Sequence, residues 1–201
     1  MTKSWRRELA RLHSAVQANL IDEDITMATI DSTKNANLEE WKRTALQQAC
    51  DAAVAAASDL TDYPPALSPV TVAQFLLESD WGRRGMGEAH NFFGIKARAD
   101  EPSVTLETTE FVNGKPVTVA QQFRKYDSMA DSFADHARLI VDRTTQTGQK
   151  IYANALSHPN DPIEFARALT GVYATDPHYG DKLIAIMRDR GLLETFGYAT
   201  A

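Results

Sequence analysis

Two glutamates stand where the local pattern gives a carboxylate little structural purpose. The first is Glu78, in Leu77-Glu78-Ser79-Asp80-Trp81-Gly82. Ser68 and Pro69 suit an N-cap and a first helical position, and Gly82 suits a stop. Between them Val70, Val72, Ala73, Phe75, Leu76 and Leu77 leave almost no polar face, which predicts a mostly buried helix. Glu78 then sits at the negative end of the helix dipole, and burial would act in the same direction, both favouring the neutral acid. A carboxyl held in that form is what a general acid needs. The plain alternative is a solvated glutamate in a fraying last turn.

The second is Glu110. Asn113-Gly114 between two alternating stretches predicts a hairpin of Val104–Val112 and Lys115–Phe123. Side chains alternate along a strand, so Val104, Leu106, Thr108, Glu110 and Val112 share one face and Glu107 takes the other. A two-residue turn places Glu110 across from Val117, among apolar or small neighbours. A carboxylate on that face is odd unless the face lines a cleft. Glu107, between Thr105 and Thr109, reads as solvated.

The elements that must position these residues are mostly helical. A helix over 38–60 ends before Thr61-Asp62-Tyr63-Pro64-Pro65, and the Glu78 helix and the hairpin follow. Ser128 is a cap for a helix to about Arg143, with Met129, Phe133, Ala137 and Ile140 on one face. Asp161-Pro162 opens another helix to Leu169, and a last one runs from His178 to Arg190 and stops at Gly191. Asp176 is placed to cap the turn before it. The predicted class is α+β, mostly helical with one small β element. Residues 1–37 form an N-terminal extension to a domain spanning 38–201. In the extension Trp5, Leu9, Leu12, Val16 and Leu20 recur at helical spacing, and packing of that stripe on the domain is expected.

Composition excludes several classes. A chain of 201 residues, 43% apolar and 24% charged, suits one globular domain with an appended element. The net charge of −6 argues against nucleic acid as a partner and gives no long-range pull toward an anionic polymer. The single cysteine, Cys50, lies in an alanine-rich run and reads as a small core residue. The five histidines lack the short spacings of metal ligands, so neither metal nor cofactor is expected. No apolar stretch is long enough to span a bilayer. Lys3, Arg6, Arg7 and Arg11 precede no apolar core, so no signal peptide is expected.

Five ordered motifs go further. They are Ala73-Gln74 with Leu77 to Gly82, Asn91 to Lys96, Thr108 to Phe111, Phe123 to Tyr126, and Gly171 to Tyr179. In this order they resemble the glucosaminidase family of bacterial cell-wall hydrolases, which includes the hydrolase half of the flagellar rod protein. The likeness covers about residues 45 to 190, with Phe92 in place of a usual leucine and Phe111 in place of a tyrosine. It implies a lysozyme-like fold whose hairpin forms one wall of a cleft. It also implies hydrolysis of the β-1,4 bond after N-acetylglucosamine in peptidoglycan.

The resemblance assigns roles by position. Glu78 is the acid. Glu110 is the second carboxylate, acting as base, as stabiliser, or as an assistant to attack by the substrate's own N-acetyl group. Tyr173 is the cleft tyrosine that positions the sugar. Asn91 and Phe93 shape a sugar subsite, with core packing the alternative for Phe93, and Tyr126 and Tyr179 are candidates for its rim whose plainer reading is structural. Trp81 reads as core beside Glu78, helping to desolvate it. A lytic transglycosylase or muramidase on the same scaffold, or a wall-binding module without activity, are the alternatives. A wall hydrolase made in the cytoplasm without a leader suggests a phage lysin or a secreted antibacterial effector. In the effector case an immunity protein that plugs the cleft is expected.

Overall fold

Helix α2 (Leu67–Glu78) is the hub of the fold, and its sequence explains why. Every side chain from Leu67 to Leu76 is buried, on all sides rather than on one stripe, so other helices must surround it. The structure, a computed structural model, describes residues 28–112 and 115–199, and of 109–112 the backbone alone. Among these, α1 (Glu40–Asp59), α3 (Met129–Asp142), α5 (Pro162–Ala168), α6 (Tyr179–Asp189) and the short α7 (Leu192–Thr195) all pack on α2. A further short helix, α4 (Ala153–Leu156), packs on α5.

Small residues set how closely α1 approaches. Ala49, Cys50, Ala52, Ala53 and Ala56 are all buried on the face that meets α2 and α3. At the centre Phe75 meets Phe92 edge-on at 5.2 Å and Phe133 at 5.6 Å. Such aromatic pairs add about 0.5–1.5 kcal/mol each beyond the area they bury. Gly180, at the start of α6, has no room for a Cβ, which would lie 2.8 Å from the Cα of Arg167. That close approach of α5 and α6 seats the neighbouring Tyr179 against α2.

The capping signals held where the side chain was free to turn back. Ser128 accepts from the Asp131 amide at the start of α3, and Asp161 accepts from the Ile163 and Glu164 amides at the start of α5. Ser68 does not cap α2. The helix starts at Leu67, two residues before the expected Pro69, and the buried Ser68 hydroxyl donates to the Tyr63 hydroxyl at 3.1 Å. Nor does Gly82 make the stop alone. Asp80 and Trp81 already have positive φ (51° and 61°), and the Ser79 hydroxyl donates to Phe75 O at 2.6 Å and accepts from the Gly82 amide at 2.8 Å. Gly82 itself, at φ 85°, is where a side chain would be strained.

Strands β1 (Ser103–Val112) and β2 (Lys115–Arg124) form an antiparallel pair, with Glu110 opposite Val117 as the two-residue turn requires. The hairpin is anchored at its base. Lys96 bridges to Phe123, the Arg124 amide donates to Ile95 O, and Arg124 reaches α3. Residues 1–27, with the predicted amphipathic stripe, lie outside the described residues. Residues 28–37 of the extension pack on the C-terminal helices. Asn35 is fully buried and donates to Arg190 O at 3.0 Å, and Lys34 pairs with Glu194 at 2.6 Å. No described helix is long and apolar enough to cross a membrane.

Candidate active site

Glu78, the last residue of α2, opens onto a cleft of about 1090 Å³. The far side is made by α3, and the near wall by the loop over 93–98 and the base of the hairpin. The cleft is larger than a single sugar needs, since pockets for drug-sized molecules run to roughly 300–1,000 Å³.

Burial of Glu78 was the expectation, and the structure corrects it: the side chain is exposed. The helix ends at this residue, and the chain turns away at once through the left-handed Asp80 and Trp81, so nothing covers the carboxyl from the next turn. Its support comes from beneath. The Tyr179 hydroxyl donates to Glu78 Oε1 at 2.9 Å and accepts from Gln74 Nε2 at 3.0 Å. Gln74 and Glu78 are one helical turn apart on α2, so both face α6. Because Gln74 donates to the hydroxyl oxygen, the hydroxyl proton is directed at Glu78. Burial, with Tyr173 and the Glu78 charge beside it, pushes the Tyr179 hydroxyl well above the usual phenol range, so it stays a donor. One carboxyl oxygen is thus fixed and the other is left for a ligand.

Tyr173 lies where the cleft meets this support. Its ring stacks on Tyr179 at 5.6 Å and 16°, and it lines the cleft beside Glu78. Burial first, and then the Glu78 charge, raise its hydroxyl pKa, so Tyr173 too is a neutral hydrogen-bonding group. Phe93 also lines the cleft. Behind it His136 is fully buried, stacked on Phe93 at 4.1 Å and edge-on to Tyr173 at 5.7 Å. Burial pushes the His136 pKa down to about 3, so it serves as a neutral aromatic spacer between two cleft residues.

The remaining residues read from the sequence lie behind the walls. Asn91 is buried, and its amide is spent on main chain: it donates to Ile95 O and Arg124 O, both at 2.8 Å, and accepts from the Ile95 amide at 3.0 Å. It shapes the loop that carries Phe93 and ties that loop to β2. Tyr126 is buried and donates to Asp135 at 2.6 Å; Asp135 also takes both bonds of Arg124 Nη1 at 2.9 Å. Tyr179 is beneath the acid rather than at the rim. Trp81 faces a different groove, next to α1, with Lys42 and Arg190 over its ring at 5.9 and 5.6 Å, so it does not desolvate Glu78. Glu110 belongs to β1, with its side chain outside the described residues.

Sequence reasoning missed His136, Tyr152 and the basic end of the cleft, where Arg138 and Arg143 sit. Gln74 carried a signal, as a lone amide in an apolar helix four residues before the acid. Cys50 is buried, and burial raises its thiol pKa to about 12, which removes it as a nucleophile.

Comparison with known proteins agrees with this arrangement. Residues 52–192 match the glucosaminidase family model, described as mannosyl-glycoprotein endo-beta-N-acetylglucosaminidase. The exo-glucosaminidase LytG of Bacillus subtilis (strain 168) is 43% identical over 129 residues, covering 64% of this chain and 45% of that one. The catalytic domain of the autolysin Auto from Listeria monocytogenes superposes with TM-score 0.68 at 26% identity, covering 82% of this chain and 94% of that domain. A C-terminally truncated glycoside hydrolase domain of Salmonella typhimurium FlgJ does so with TM-score 0.56 at 30% identity, covering 76% and 97%. The chain spans less than half the length of the curated relatives it matches. With the match reaching from α1 to α7 and taking in Glu78, the cleft and the hairpin, the chain belongs to the glucosaminidase family.

Proposed function

We propose that the chain hydrolyses the β-1,4 bond between N-acetylglucosamine and N-acetylmuramic acid within peptidoglycan strands, with Glu78 as the proton donor. The observation that carries this reading is the Gln74–Tyr179–Glu78 chain of hydrogen bonds, which holds one acid at the edge of a long cleft. Breaking a glycosidic bond requires a proton on the leaving oxygen and a negative partner for the oxocarbenium-like transition state. Glu78 gives its proton to the leaving oxygen, and Glu110 on β1 supplies the second charge. Tyr173 places its hydroxyl beside the sugar, and the Phe93 wall gives the sugar an apolar surface. Internal cleavage, rather than trimming from an end, is supported by the cleft volume, which exceeds what one sugar fills.

Digestion of purified peptidoglycan, followed by borohydride reduction and mass spectrometry, tests the bond. Reduced N-acetylglucosamine ends are expected, in fragments whose length falls early in the time course. Reduced muramic ends would make the enzyme a muramidase, and anhydro-muramic ends a transglycosylase. Release of single sugars from the start would make it an exo-enzyme. Anomeric configuration at the first turnover, read by NMR, assigns the role of Glu110. Inversion means a base for water, and retention means a covalent or N-acetyl-assisted route.

A further inference from the structure

We propose that Arg138 and Arg143 form an anion subsite at the end of the cleft beyond Tyr152, which takes a carboxylate carried by the glycan. This rests on the peptidoglycan reading and deepens it, by naming what the cleft recognises besides sugar rings.

The placement follows from α3. Asp135, Arg138, Leu139 and Asp142 fall at helical spacings of three, four and seven, and all line the cleft. The acidic members of this stripe are engaged: Asp135 by Arg124 and Tyr126, and Asp142 by Lys150 at 3.4 Å. Arg138 is exposed into the cleft and has no ion-pair partner among the described residues. Arg143 follows the last residue of α3 and lines the cleft with Tyr152, close enough for its charge to lower that hydroxyl's pKa against the larger raising by burial.

An aromatic row sets the direction. Tyr179 holds Glu78 and stacks on Tyr173, Tyr173 meets Tyr152 at 6.3 Å, and Tyr152 meets Arg143. Glu78 and Arg143 therefore sit at two ends of one lined path, and Arg138 lines the same cleft from α3. A neutral sugar has no use for two guanidiniums there, in a chain whose net charge is −6. A carboxylate does, because a guanidinium can hold both of its oxygens in one plane. On peptidoglycan that group is either the lactyl carboxylate of a bare muramic acid or the carboxylates of its peptide stem. The competing explanation is that both cations serve only to offset the dipole at the C-terminal end of α3.

The test uses Glu78→Gln, which binds without turnover, with and without R138Q/R143Q. Three soluble ligands are titrated: a neutral β-1,4 N-acetylglucosamine oligomer, a peptide-free glycan fragment, and a peptide-bearing one. Charge-assisted bonds of this kind make about a tenfold difference per guanidinium. With two guanidiniums the anionic fragments are therefore expected to bind up to about a hundredfold tighter than the neutral oligomer. That preference should vanish in the double variant, fall partway in R138Q alone, and shrink at high salt. A preference already complete with the peptide-free fragment identifies the lactyl carboxylate, and one seen only with the peptide-bearing fragment identifies the stem. An unchanged preference in R138Q/R143Q, or equal binding of all three ligands, overturns the subsite while leaving the glycan reading intact. A double variant that loses stability but keeps the preference returns the arginines to the helix dipole alone. Binding of none of the three, with no wall digestion by the wild type, removes the glycan reading as well.

Discussion

Replacing Tyr179 with phenylalanine deletes one oxygen from the centre of the proposed machinery. The ring remains, so the stack on Tyr173 at 5.6 Å is kept. Two hydrogen bonds go: the one donated to Glu78 at 2.9 Å and the one accepted from Gln74 at 3.0 Å. A hydrogen bond to a charged group contributes about 1.5–3 kcal/mol, and the exposed side of Glu78 favours the low end. Each 1.36 kcal/mol is a factor of ten in rate, so kcat on peptidoglycan should fall by about tenfold to thirtyfold, with KM little changed. The second loss acts on stability. Gln74 is fully buried, and its amide N–H would be left without an acceptor, at a cost of about 1–3 kcal/mol. Gln74→Leu added to Tyr179→Phe removes the stranded donor, and should restore much of the stability while leaving activity low. Urea unfolding and initial rates of wall solubilisation separate the two effects. Wild-type activity in Tyr179→Phe would refute the claim that Tyr179 holds the acid. Equal unfolding of the single and double variants would refute the account of Gln74.

Other perturbations test the surroundings. Asn91→Ala breaks three bonds to main chain in a buried site, and should destabilise the fold by about 2–4 kcal/mol in urea unfolding. His136 titrates near 3 when folded and near 6.5 when unfolded. Its contribution is therefore complete above pH 6.5 and is lost as the pH falls toward 3, by about 1.4 kcal/mol per unit. In His136→Phe that acid slope should flatten in unfolding curves taken across this window. Cys50, with its thiol raised to about 12, should resist alkylation at neutral pH until the protein is unfolded, as mass spectrometry of the labelled protein will report.

The parts legible in the sequence were those that local rules govern. The Asn113-Gly114 signal located the hairpin, and the expected pairing of Glu110 with Val117 is the one the strands make. Ser128 and Asp161 marked helix starts because each side chain is free to reach the amides two or three residues on. The unbroken apolar run before Glu78 located the central helix. Ser68 misled because its hydroxyl had a tertiary partner, Tyr63, which no local rule reveals. Glu78 and Trp81 misled for a related reason. The chain leaves α2 through two left-handed residues, which sends the tryptophan to another groove and leaves the acid open to solvent. Asn91 and Tyr126 belong to matched motifs, yet their polar atoms face inward to hold the loop and the hairpin base, since a motif does not say which way a side chain points. His136 was invisible because a histidine on an apolar helix face gives no hint that two cleft aromatics sandwich it.

The central claim is that Glu78 delivers the proton. Glu78→Gln keeps the size of the side chain and can still accept from Tyr179, so the fold and the cleft should persist while the acid is lost. Rates of release of reduced N-acetylglucosamine ends from purified peptidoglycan should fall at least a hundredfold relative to wild type, by about the factor general acid catalysis supplies. Release by Glu78→Gln at a rate near that of wild type would contradict the account.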